Sequence, residues 1–417
     1  MELWLDRAAR ERPDAPAVDG VAYAELNGLA NVYARGLAAA GVGPGDRVAT
    51  LMPPDFEFAG VLHALPKVGA VLVPVSTRLA PAERDALLED ARPRLILTGP
   101  PASSYEDVAL RAQAEPEEVH SVIYTSGTTG RPKPVELTYA NHAASAAASA
   151  AKLGVEPDDR WLGVLPIFHV GGLAILIRSA IYATEAIVHD GFDVERVKRS
   201  LESGEATLVS LVATQLRRLL DAGLSSAPAL RWALIGGGPV PADLIERCRA
   251  LGINAAPTYG MTETASQIWT DGLLPGVDLR IADDGEIIVR GPMVSPGAIA
   301  DDGWLHTGDR GSLEDGRLQV EGRIADTIVT GGENVSAAEV EEALLAHPAV
   351  RDAAVVGRPD PEWGQAVTAF VVAEASDAEL GRHLRERLAG YKLPKRIERV
   401  DEIPRNAAGK IVRGRLP

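Results

Sequence analysis

The chain is poor in cysteine, in aromatics and in long apolar runs, and each shortage removes a class of protein. A single cysteine, Cys248, excludes an intrachain disulfide and a cysteine-rich metal site. It stands at helical spacing with Leu244 and Leu251, so it is expected as a small core side chain. Aromatics are 5% of the residues, which leaves the core to be built from Ala, Val and Leu. No stretch reaches the roughly 18 uninterrupted apolar residues of a membrane span. The best run, Leu173 to Val188, is broken by Arg178 and Glu185. The opening MELWLDRAARERPDAP meets charge at Glu2 and Asp6 and lacks the apolar run of a signal peptide. Positive charge is short as well. With 42 Lys and Arg against 58 Asp and Glu the net charge is −16, which argues against a general nucleic-acid binder. The expectation is a cytoplasmic protein with small-molecule partners, no nucleic acid and no membrane span, with a homo-oligomer left open.

What is present is a chain of 417 residues, long enough for two or three domains. The runs RVATLM (Arg47–Met52), AVLVPV (Ala70–Val75), RLILTG (Arg94–Gly99), SVIYTSG (Ser121–Gly127) and RWALIGGG (Arg231–Gly238) read as buried strands. Helical patterns lie between them, such as Pro241–Leu251 with Gly252 just past its end. This alternation predicts the α/β class: a large N-terminal domain of layered sheets and helices. From about Asp271 short strands between Gly/Asp turns, GEIIVRG and GRLQVEGR, predict a small β unit over 271–325. After Arg323 a strand, a Gly-Gly turn and a helix from Ser336 follow, with Ser336 and Glu339 spaced as a capping box. Residues 326–417 are therefore expected as a small α+β domain behind the 1–325 domain. The Ala/Ser run Ala143–Ala151 suits a closely packed helix.

One loop concentrates the chemistry. YTSGTTGRPKPV, Tyr124–Val135, follows a strand with small donors and a lysine. It is not a P-loop, because two residues separate Gly127 from Gly130 and Lys133 follows Arg-Pro. Backbone N–H groups, hydroxyls and a lysine can hold an anion all the same. A solvated Gly/Thr turn is the plain alternative.

The string resembles the signature of the adenylate-forming superfamily of acyl- and aryl-CoA ligases, luciferases and adenylation domains. YGMTET (Tyr259–Thr264), WLHTGD (Trp304–Asp309), GRIADTIVTGGENV (Gly322–Val335) and PRNAAGKIVR (Pro404–Arg413) follow in that family's order, so the resemblance covers nearly the whole chain. It implies a large N-terminal domain, a small mobile C-terminal domain and a hinge at Asp326. It implies ATP, Mg²⁺ and coenzyme A as cofactor and co-substrates, with a carboxylic acid as substrate. Thr125, Ser126, Gly127, Thr128, Thr129, Gly130 and Lys133 would wrap the ATP phosphates. Gly237, Gly238, Pro239, Tyr259, Gly260 and Met261 would line the nucleotide, and Asp309 with Arg323 would meet the ribose. Thr262 would touch the α-phosphate and Glu263 would hold the metal. Lys410 would swing in to bridge the carboxylate and the α-phosphate, and Gly331, Gly332 and Glu333 would replace it when coenzyme A enters.

The middle of the chain narrows this. LPIFHVGGLAILIR (Leu165–Arg178) and LIGGGPVPADLIERC with YGMTETASQI resemble the o-succinylbenzoate-activating branch. There Gly236, Gly237, Gln267 and His169 would line the acid, with His169 as a gate or stacking group; a packed core imidazole is the plain alternative. The acid's second carboxylate needs a partner, and Arg178 lies in this segment. Three departures stand out: Pro134 in place of the usual glycine, a short connection between Gln267 and Pro275, and Ala298 in place of an aromatic. Other readings are another aryl- or medium-chain acyl-CoA ligase, a stand-alone adenylating enzyme that loads a carrier protein, or a non-catalytic acyl-adenylate binder. The presence of Lys410, Glu263 and Asp309 speaks against the last.

Overall fold

In the computed structural model, residues 1–106, 108–126, 132–405, 409 and 411–417 are described. They form four sheets and divide into two compact units. The first unit holds Met1–Asp278 and Arg290–Leu305; the second holds Leu279–Val289 and His306–Pro417. Within the span 271–325 lies a four-stranded sheet: Asp278–Ile281, Glu286–Arg290, Leu305–Glu314 and Arg317–Arg323. Apart from its end residues Asp278, Arg290 and Leu305, this sheet groups with the C-terminal residues rather than with the N-terminal ones.

Two sheets carry the first unit. In one, the parallel strands Leu95–Leu97, Arg47–Thr50, Val71–Pro74 and Val119–Ser126 lie side by side, and Pro132–Thr138 closes the edge antiparallel. The other has eight strands, running from Ser266–Thr270 through Ala255–Met261, Trp232–Gly236, Leu208–Val212 and Arg160–Gly163 to Glu185–Val188 and the N-terminal pair. Strands buried on both faces need near-continuous apolar runs, and Val48, Leu72, Ile123, Leu162, Val209 and Ile235 are all buried. Pro134 sits in the edge strand opposite Tyr124, the location where a residue without an N–H is tolerated.

The Ala/Ser run forms the helix Tyr139–Leu153, as its composition predicts. Thr138 and Asn141 cap it reciprocally, and the Asn141 amide also donates to the Pro292 and Val294 carbonyls at 2.9 and 3.0 Å. Cys248 is fully buried beside Leu244, but Leu251 is 37% exposed, because the helix ends at Ala250 and the chain turns outward there. At Ser336 only half of the capping box forms. The Ser336 hydroxyl accepts from the Glu339 amide, while the Glu339 carboxylate is held by Lys392 Nζ at 2.6 and 2.8 Å. In the second unit the strands Thr327–Thr330, Glu333–Ser336, Val350–Asp360, Gly364–Ala373 and Arg396–Arg399 make one sheet, packed by the helices Ala337–Leu345 and Asp377–Arg385.

Candidate functional site

The candidate site of the first unit is built around a strained turn. Gly260 pairs with Gln267 and Met261 with Ser266 in antiparallel strands, joined by the single helical turn Thr262–Thr264. A Cβ on Gly260 would run into the Ser266 carbonyl, so the close pairing requires glycine. The fully buried Thr264 hydroxyl accepts from the Met261 amide at 3.1 Å and donates to the Ser266 carbonyl at 2.7 Å. Ala265 and Ser266 have φ of 51° and 126°, each a costly conformation for a residue with a Cβ. The Glu263 carbonyl is pinned by the Ser295 amide at 2.7 Å, and the Ser295 hydroxyl donates to the Glu136 carbonyl at 2.8 Å. This fixes the backbone at Thr262 and Glu263 while their side chains stay partly exposed.

Gly236, Gly237 and Gly238 leave the neighbouring strand. A Cβ at Gly236 would meet the Thr258 hydroxyl, and Gly237 has φ of 79°. At Gly238 a Cβ would meet nothing within 4 Å, so bare backbone here borders open space. The short connection after Gln267 closes as a tight hairpin. The Thr270 amide donates to the Gly272 carbonyl and the Leu274 amide to the Ile268 carbonyl, both at 2.9 Å. Ala298 lies in a short surface turn, Pro296–Ala298.

The helix Tyr139–Leu153 joins this turn to a buried cation. Ser145 Oγ donates to the Ala265 carbonyl at 2.9 Å, and Arg178 Nη2 donates to Ser145 Oγ at 3.0 Å. One turn further along, Ser149 Oγ lies 3.4 Å from Gln267 Nε2. Arg178 is buried over the Trp161 ring at 5.7 Å, and burial pulls its pKa below the ordinary arginine value. His169 is the N-cap residue of the helix Val170–Tyr182, partly buried, with its ring 4.6 Å from that of Phe168. Gly172 lets the helix start against the carbonyls of Leu165 and Pro166, where a Cβ would collide. The first unit thus brings Tyr259–Glu263 and Gln267 together on one strand pair and its turn, and ties Arg178 to that turn through Ser145 and the Ala265 carbonyl.

Of the loop expected to hold phosphate, Thr125 and Lys133 are opposed across the strand pair, and Thr125 Oγ1 donates to the Lys133 carbonyl at 3.3 Å. Lys133 is exposed and Ser126 ends its strand. Gly127, Thr128, Thr129 and Gly130 lie outside the described residues, as does Lys410.

In the second unit Asp309 and Arg323 are directly opposed in adjacent strands, and Arg323 Nε lies 2.8 Å from Asp309 Oδ1. Arg323 also donates to the Thr307 carbonyl at 2.9 Å. The Asp309 amide donates to Thr307 Oγ1 at 3.0 Å. The carboxylate expected to meet a ribose is therefore held in a fixed orientation. Gly331 and Gly332, with φ of 59° and 87°, form the two-residue turn of a hairpin in which Thr330 opposes Glu333. Trp363, which the motifs did not single out, backs this turn: its carbonyl accepts from the Gly331 amide at 2.9 Å. Lys395 lies 4.4 Å over its ring.

A metal would find a sparse donor set. Among the described residues no group of three His, Cys, Asp or Glu could hold an ion. A single carboxylate, Glu263, suits Mg²⁺, which keeps waters and takes further oxygens from substrate phosphates.

Comparison with known proteins agrees with the motif order. A family model described as AMP-binding enzyme matches residues 5–119 and 100–298, and the AMP-binding enzyme C-terminal domain matches 339–410. The chain is 38% identical over 471 aligned residues to a 2-succinylbenzoate–CoA ligase of Bacillus cereus (strain Q1), covering 100% of this chain and 98% of that one. It is similar to the o-succinylbenzoate CoA synthetase of Bacillus subtilis in complex with the acyl-adenylate intermediate, with a TM-score of 0.94 and 35% identity, covering 100% and 98% of the two chains. It is also similar to that synthetase with ATP and magnesium ion, with a TM-score of 0.91 and 35% identity over 100% and 99%.

Proposed function

Because the chain belongs to the AMP-binding enzyme family, we propose that it activates o-succinylbenzoate with ATP and transfers the acyl group to coenzyme A. The observation that carries this reading is the full-length likeness to 2-succinylbenzoate–CoA ligases. It is supported by a buried arginine tied through Ser145 to the turn that bears Thr262 and Glu263. An aryl dicarboxylate needs a cation for the carboxylate that does not react, and Arg178 supplies one.

The chemistry runs in two displacements. A carboxylate oxygen attacks the α-phosphorus of ATP, the bond to the β-phosphate oxygen breaks, and pyrophosphate leaves. The thiolate of coenzyme A then attacks the acyl carbon of the mixed anhydride and expels AMP. Thr125–Gly130 and Lys133 hold the phosphates, Thr262 contacts the α-phosphate, and Glu263 holds Mg²⁺. The ion neutralises phosphate charge when bound. Asp309, oriented by Arg323, accepts the ribose hydroxyls, Gly236–Pro239 lie against the adenylate, and Gln267 and His169 line the acid. Lys410 stabilises the charge built up during adenylation. The domain 326–417 turns at Asp326 and exchanges Lys410 for Gly331–Glu333. ATP and coenzyme A as co-substrates imply a cytoplasmic location.

A carboxylate panel with ATP and coenzyme A, followed by AMP formation, tests the assignment. Strong preference for o-succinylbenzoate over benzoate and octanoate is expected. Equal turnover of all three overturns the substrate assignment.

A further inference from the structure

Charges of the second unit converge on one arginine. Arg413, in the PRNAAGKIVR segment, sets Nη2 2.7 Å from Glu341 Oε1 and Nη1 3.3 Å from Asp326 Oδ2. Its Nε donates to the Val355 carbonyl at 3.2 Å, and Glu341 accepts from the Val355 amide at 2.8 Å. Two of these partners belong to the packed body of the unit: Glu341 is buried on the helix Ala337–Leu345, and Val355 is fully buried in the strand Val350–Asp360. The third differs. Asp326 ends the short turn Ile324–Asp326 and is partly exposed.

A second arginine stands on the other side of Lys410 in the sequence. Arg405 Nη2 lies 2.7 Å from Asp352 Oδ1, and Arg405 Nη1 donates to the Gly409 carbonyl at 2.7 Å. Arg405 also bridges Ile411 antiparallel, and the Val412 amide returns to the Pro404 carbonyl at 2.8 Å. The chain on either side of Lys410 is thus anchored to the body of the unit by an arginine. Of the two anchors, Arg413 alone also reaches the residue assigned as the hinge.

We propose that Arg413 is a positioning residue that couples the backbone state of Asp326 to the placement of the segment carrying Lys410. This rests on the function proposed above, in which Lys410 serves adenylation and Asp326 is the hinge. The Glu341 and Val355 arms lie within one packed body and stay fixed. The Asp326 arm depends on the torsions of the hinge residue itself, so turning that backbone makes or breaks it. Burial pushes the Glu341 carboxyl up to about 7 against the pull of Arg413, so the guanidinium also favours the charged form of its own anchor.

The full chain carrying Arg413→Gln, Asp326→Asn, or both, is assayed separately for pyrophosphate release and for thioester formation from synthetic acyl-adenylate. Arg413→Gln is expected to slow pyrophosphate release roughly tenfold, the scale of a lost charge-assisted contact, with little change in thioester formation. Asp326→Asn, removing one partly exposed pair, shifts the ratio of the two rates roughly twofold to fivefold. In the double variant the Asp326 change adds nothing, because its partner is already gone. Equal loss in both half-reactions, or additive effects in the double variant, overturns the coupling. If Arg413→Gln does not fold, Arg413→Lys replaces it in the same cycle, read the same way. Lys410→Ala separates the two levels. If it does not lose pyrophosphate release selectively, the assigned function falls and the coupling with it; if it does and the cycle is additive, the coupling alone is overturned.

Discussion

Arg178 donates to Ser145 Oγ at 3.0 Å, and among the described residues no carboxylate is paired with its guanidinium. A buried cation without an anion is costly unless a partner arrives. Its link through Ser145 to the Ala265 turn is the ground for proposing the second carboxylate of the substrate as that partner.

Arg178→Met should therefore raise the KM for o-succinylbenzoate by roughly 10- to 100-fold, the scale of a lost hydrogen bond to a charged group. The KM for ATP should hold, and benzoate, which lacks the second carboxylate, should be used no worse than before. Steady-state kinetics with both acids checks this. A matching loss with benzoate would assign Arg178 to the fold rather than to the acid.

Lys410→Ala should reduce pyrophosphate release by roughly 10²–10³, the usual scale for removing a group that stabilises transition-state charge. Conversion of synthetic acyl-adenylate to thioester should persist, as measured by product formation in a single turnover. If both half-reactions drop together, the lysine does not act in adenylation alone.

Pro134→Gly tests the oddest residue of the loop proposed to hold phosphate. Pro134 lies opposite Tyr124 in an edge strand, so glycine restores an N–H without breaking an inner ladder. The apparent KM for ATP should fall or stay unchanged. A steep rise would mean that the stiffened strand is itself an adaptation.

Acid should unfold the first unit through its histidines. His63, His120 and His142 are buried, and desolvation lowers the first two to about 3 and the third well below its ordinary value. Each has a folded pKa below its unfolded value near 6.5, so above that pH the three leave stability unchanged. As pH falls from about 6.5 towards 3 the unfolded chain takes up protons that the folded chain refuses. Stability then drops by about 1.4 kcal/mol per pH unit for each of His63 and His120, and His142 acts in the same direction. Denaturant midpoints between pH 7.5 and 5 should fall in this way, less steeply in His120→Gln. A flat profile would contradict it.

Local patterns were legible in the sequence, and contacts between distant residues were not. The strands around Val48, Leu72, Ile123 and Ile235 follow from apolar runs, and the Ala-rich helix from composition. Ser145, by contrast, gains its role from Arg178 and from Ala265, far along the chain, and no spacing rule links three such residues. Glu339 shows the same limit on a smaller scale. Its spacing from Ser336 satisfies a capping box, yet Lys392 takes the carboxylate. The motifs named Asp309 and Arg323 as neighbours of one ligand; the strand register adds that each orients the other.

Cys248 is completely buried, and burial raises its thiol pKa. A thiol-reactive dye added to the folded protein therefore meets no competing sulfur. Consumption of coenzyme A can be followed by its own sulfhydryl without background from the enzyme. A cysteine introduced at the exposed Val329 would be the accessible attachment point, ready for a fluorophore that tests in real time whether the proposed turning at Asp326 takes place.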